Sequence, residues 1–132
     1  MSLFQLLIEL NKTFTNSRLN PSDHCSHHYL SLLIRNISCK EFEKMDILEN
    51  YLIKSRELIE RYPMHEALWM LFRNLIGIAF SHKRMNLINN QVIFLKQFID
   101  QTDEQDYIIF ALHALWWISH LVSYLIFKRM KY

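Results

Sequence analysis

Apolar positions recur every three to four residues along most of the chain, and polar clusters interrupt them at roughly helix-length intervals. That period belongs to amphipathic helices; strands would alternate apolar and polar residues. Leu3, Phe4, Leu6, Leu7 and Leu10 make the apolar side of a first helix predicted over Ser2–Phe14. Thr15, Asn16, Ser17, Asn20, Pro21 and Ser22 follow as a polar connection. Ser22 or Asp23 can then cap a second helix over Asp23–Asn36 by accepting from its free N–H groups. Ser38–Met45 is charged and mixed, and reads as a loop or as the start of the next helix.

A third helix is predicted over Glu41–Tyr62, where Leu52, Ser55, Leu58, Ile59 and Tyr62 share a face opposite most of the charges. Pro63 ends it, because the proline ring clashes with the preceding turn and offers no N–H. A fourth helix can begin at once, since a proline at or just before a first turn costs nothing there. It runs over Met64–His82 with Ala67, Leu68, Leu71, Phe72, Leu75 and Ile76 as its apolar face. Lys83, Arg84, Asn86, Asn89 and Asn90 mark the next connection, and Val92, Phe94, Leu95, Phe98 and Ile99 make a fifth helix. Gln101–Asp106 supplies a cap and an acidic first turn for a last helix over Asp103–Arg129. The expected architecture is all-α: antiparallel helical hairpins in a single domain, forming a fragment of an α-solenoid.

Composition supports this. The chain has 132 residues, 51% hydrophobic and 14% aromatic, with one Gly and two Pro, too little turn chemistry for an all-β fold. A formal net charge of +2 argues against a nucleic-acid partner, which calls for basic charge gathered on one face. Cys25 and Cys39 form no disulfide framework, and Met1–Leu10 lacks the basic segment of a signal peptide, so a cytoplasmic location is expected.

The last helix raises a membrane question. Tyr107–Phe127 holds no Asp, Glu, Lys or Arg across 21 residues, the length of a bilayer span. His113, Ser119, His120 and Ser123 fall on one side of it and are costly in hydrocarbon. A buried helix with one polar seam, covering the end of the array or meeting a partner, is the reading we favour over a membrane span. Trp116 and Trp117 are its large apolar anchors and the candidates for a partner interface.

Groups that could carry chemistry are few. His24, Cys25, His27 and His28 are zinc-ligand types, but on one helix only His24 with His27 or His28 shares a face, and no C-x-x-C pair accompanies them. We read His27 as the filler of an aromatic slot and assign no metal site. A nucleophile elbow, a paired catalytic carboxylate and a glycine-rich phosphate loop are all missing from the sequence.

The most specific stretch is Leu52–Ile76: a helix, a proline corner, and a second helix carrying Pro63, His65, Glu66, Ala67, Trp69 and Arg73. This pattern resembles the repeat of protein prenyltransferase alpha subunits, in which a small residue, a Trp and an Arg four residues later follow the turn. His27 stands 42 positions before Trp69, inside Asn20-Pro21-Ser22-Asp23-His24-Cys25-Ser26-His27-His28-Tyr29-Leu30. The layout there is the same, with His27 in the Trp slot and Ser31 in the Arg slot, and it looks like the divergent alpha-subunit-repeat-containing branch of the family. Repeat-like units are therefore expected over about 20–37 and 46–80. Because 42 exceeds the helical-hairpin period of about 34 residues, a longer inter-helix loop is expected around Ile37–Met45.

The resemblance implies an alpha-type subunit that scaffolds a catalytic beta subunit. The beta subunit would hold the zinc and most of the isoprenoid diphosphate pocket, and the protein substrate would carry a C-terminal cysteine. No cofactor is expected on this chain itself. Pro63, His65, Glu66, Trp69 and Arg73 are implied as structural residues of the repeat; no lysine matches the family's diphosphate-side lysine, so no catalytic residue is assigned. A non-enzymatic helical adaptor and a small membrane-anchored helical protein are the alternative readings.

Overall fold

In a computed structural model the described residues form six α-helices and no strand. The description covers the backbone of residues 2–130, and their side chains except those of 3, 38–45 and 130. The helices are α1 (Leu3–Leu19), α2 (His24–Met45), α3 (Ile47–Arg61), α4 (Glu66–Ser81), α5 (Met85–Gln101) and α6 (Gln105–Met130). The chain divides into two compact units, Met1–Leu75 and Ile76–Tyr132, with the division inside α4.

In the first unit α1 packs on α2 and α2 on α3. A capping box starts α1: Ser2 Oγ accepts from the Gln5 N–H at 3.2 Å while Gln5 Oε1 accepts from the Ser2 N–H at 2.9 Å. The helix then runs to Leu19, past the expected end at Phe14. Thr15, Asn16 and Ser17 of the expected connection stay helical, and Asn20, Pro21 and Ser22 form it; Thr15 donates its hydroxyl to Asn11 O at 3.0 Å, one turn back. Leu6, Leu10, Thr13 and Ser17 are buried along one stripe of α1, facing the same core as Leu30, Leu33, Ile34 and Ile37 of α2.

The expected loop at Ile37–Met45 is also corrected. Helix α2 continues through Met45, because no Pro or Gly interrupts it, and the extra length of the repeat is helix. Asp46 alone separates α2 from α3, with φ 43° and ψ 42° in the left-handed region. Helix α3 accordingly starts at Ile47, not Glu41, and buries Ile47, Leu48, Tyr51, Leu52, Ser55, Leu58 and Ile59. The first part of α4 adds Ala67, Leu68, Trp69, Leu71, Phe72 and Leu75 to the core.

In the second unit α5 packs on α6. The connection expected over Lys83–Asn90 is only the turn at 82–84, and Asn86, Asn89 and Asn90 are helical. Two hydrogen bonds close that turn: Lys83 N–H donates to Phe80 O at 3.0 Å and Arg84 N–H to Ala79 O at 2.9 Å. This is the Schellman pattern, and Lys83 takes its left-handed position at φ 58°. Helix α5 buries Leu87, Ile88, Gln91, Phe94 and Leu95. Helix α6 buries only Ala111, Ala114 and Ile118. The expectation of a buried last helix therefore fails: His113, Ser119, His120 and Ser123 lie on its exposed side. Burial of the small Ala111 and Ala114, with Ile118, gives α6 a narrow contact stripe and leaves the rest in the open.

Candidate functional site

Two proline corners and one basic cleft concentrate the chemistry of the first unit. At the second corner, α3 ends with the Tyr62 N–H donating to Leu58 O at 2.8 Å, and the chain turns through Pro63 and Met64. The His65 N–H reaches back to Tyr62 O at 3.3 Å, and the Leu68 N–H to His65 O at 3.0 Å as α4 begins. Trp69, one turn into α4, is 1% exposed and donates its indole Nε1–H to the Pro63 carbonyl at 2.9 Å. A buried indole N–H needs an acceptor, and the proline carbonyl has no helical donor of its own at this bend. The one bond satisfies both groups and locks the corner.

The first corner repeats this geometry 42 residues earlier. The Asn20 N–H donates to Asn16 O at 2.9 Å and the Asp23 N–H to Asn20 O at 3.0 Å, as Tyr62 and His65 do in the other hairpin. The capping residues Asn20 and Tyr62 share a backbone conformation, φ −128° and −131°. His27, 2% exposed, places Nε2 2.7 Å from Pro21 O. A carbonyl can only accept, so Nε2 carries the proton and neutral His27 has its lone pair on Nδ1. That Nδ1 is buried with no partner among the described residues. Burial holds the His27 pKa below the ordinary imidazole value, and the hydrogen bond to Pro21 and the charge of Asp23 only partly oppose it. Asp23 caps α2 by accepting from the Ser26 N–H at 3.2 Å, which lowers its own pKa.

The other residues singled out from sequence are distributed as follows. Pro63, His65 and Arg73 are half-buried, and Glu66 is exposed at the first position of α4. Ser31, in the slot of Arg73, donates its hydroxyl to His28 O at 2.8 Å. His24, Cys25 and His28 are exposed, whereas the His27 ring is buried. Among the described residues no three His, Cys, Asp or Glu side chains converge as metal ligands. In the second unit Trp116 is 66% exposed and Trp117 half-buried.

Sequence reasoning missed the cleft. It has a volume of about 430 Å³ and is lined by α1 and α3, including Asn11, Phe14, Arg18, Lys54, Glu57 and Arg61. The Lys54 ammonium stands 4.8 Å from the ring centroids of both Phe14 and Tyr51, which fixes its position by cation–π attraction. Three cations against one carboxylate make the cleft net positive, which suits an anionic group. Lys54, Glu57 and Arg61 share one face of α3 at three- and four-residue spacing; this was the available signal, but nothing in the sequence paired that face with α1.

Comparison of the chain with protein-family models, with curated proteins and with solved structures finds no match.

Proposed function

We propose that this chain is an alpha-type helical-repeat subunit that scaffolds a protein prenyltransferase beta subunit. The observation that carries the reading is the paired corner: His27 to Pro21 and Trp69 to Pro63, the same ring-to-proline bond at the same offset. Each bond fixes the turn between the two helices of its own hairpin, a structural role that suits a repeat scaffold. The resemblance of Pro63, His65, Glu66, Trp69 and Arg73 to the prenyltransferase repeat supplies the finer identity. On this reading the hairpins extend as a short solenoid, while zinc and isoprenoid diphosphate sit on the beta subunit. Transfer goes to a protein with a C-terminal cysteine, and this chain supplies surface, not reacting groups.

The test is co-expression with farnesyl- and geranylgeranyl-transferase beta subunits, followed by affinity purification of this chain. Stoichiometric recovery of a beta subunit is expected, and recovery should fall when Trp69→Ala opens the second corner. If the folded wild-type chain retains no beta subunit, the reading is overturned and the hairpins are those of a helical adaptor.

A further inference from the structure

The face of α6 that α5 leaves open has a pattern that neither corner explains. Ile109, His113, Trp116, His120, Ser123 and Phe127 are all exposed, and they are spaced four, three, four, three and four residues apart. That is the four-three spacing of a coiled-coil seam, with Ile109, Trp116 and Phe127 as its apolar positions and His113, His120 and Ser123 between them, about 27 Å long at 1.5 Å per residue. Trp116 is 66% and Phe127 67% exposed, and Leu112, Tyr124 and Ile126 flank them at 49 to 59%. So much apolar area on one helix calls for a cover.

The seam is symmetric about the level of Ile118. Ile109 and Phe127 stand equally far from it, as do His113 and Ser123, and Trp116 and His120. The charges are antisymmetric about the same point. Asp103 and Glu104 lie just before α6 and Asp106 in its first turn, Lys128 and Arg129 lie in its last, and all are exposed.

We infer that α6 pairs antiparallel with α6 of a second copy of this chain. A two-fold axis beside the level of Ile118 then sets Ile109 against the second copy's Phe127 and Trp116 against its His120. It also brings each acidic end against a basic end, whereas a parallel pair would set like charges together. Within one copy the Trp116 and His120 rings already stack at 5.3 Å and 15°, so the centre of the interface is a preformed flat surface. The helix is also long and apolar enough to cross a membrane. The two histidines and two serines on its open side favour a protein surface over lipid, because hydrocarbon leaves them without partners. This inference does not depend on a beta subunit.

The test uses the full chain alone. Sedimentation velocity should give a dimer at micromolar concentration. Asp106→Lys should weaken it at least tenfold, and adding Arg129→Asp should restore it. In a Cys25→Ser, Cys39→Ser background, oxidation should cross-link a mixture of Ile109→Cys and Phe127→Cys chains, and neither chain by itself. A helical monomer at every concentration overturns the inference, as does self-cross-linking of Ile109→Cys alone, which marks a parallel pair. Monomeric insertion into phosphatidylcholine–phosphatidylserine vesicles overturns it in favour of a membrane span.

Discussion

Trp69 and His27 do the same work with rings of different size, and the bond each makes can be removed without removing the ring. Trp69→Phe keeps most of the apolar volume but leaves the Pro63 carbonyl without its donor. Because Pro63 is half-buried, the cost is at the low end of that of an unsatisfied buried acceptor, about 1 kcal/mol. Trp69→Ala adds an aromatic-sized cavity and should cost about 3–5 kcal/mol. Urea unfolding followed by circular dichroism would separate the two, and a Trp69→Phe chain as stable as the wild type would mean the indole N–H contributes nothing. His27 adds a pH dependence. Its folded pKa lies below its unfolded one, so below the ordinary imidazole value of 6.5 the unfolded chain binds protons that the folded chain resists. Stability is therefore whole above that pH and lost as pH falls toward the folded pKa. His27→Gln should flatten the slope of stability between pH 7 and 5; an unchanged slope would remove His27 as its source.

At the scale of helices, two of the five connections turn on a single residue in an unusual conformation. Asp46 and Lys83 hold positive φ without being glycine. A side chain in the left-handed region costs about 1–2 kcal/mol, so Lys83→Gly should raise stability by about 1 kcal/mol, because the Schellman bonds are backbone bonds and survive the change. Thermal unfolding would check this, and a lowered midpoint would show that the lysine side chain has a role of its own. The same connections explain what could be read in advance. Pro21 and Pro63 announce their corners through a missing donor and a locked φ, so those breaks and the 42-residue offset were legible. Asp46 is an ordinary residue until the backbone is seen, so the junction of α2 and α3 was placed wrongly and a loop was expected where helix continues. The aromatic slot of His27 was legible because it stands 42 positions before Trp69, in the same place after its proline. The cleft was not, because period says nothing of which faces of α1 and α3 meet.

Across the whole molecule, the same period that identified six helices could not say how much of each is covered. Helix α6 is as apolar as a core helix, yet it buries little more than two alanines and an isoleucine, and its exposure appears only once α5 is seen to take a narrow stripe. The two compact units also carry different chemistry. Both ring-to-proline corners and the buried, depressed His27 belong to residues 1–75, while the open seam belongs to residues 76–132. Local stability follows local contacts, so a stress that acts through His27 should register in the unit that contains it. Amide exchange measured at pH 7 and pH 5, corrected for intrinsic rates, should therefore show protection falling at Leu30, Leu33 and Ile34 around the first corner. Leu95, Ala111 and Ala114 should keep theirs over the same interval. Protection lost in parallel across both sets would mean that the units open together, and the acid response would then be a property of the whole chain, with the first corner only one contributor.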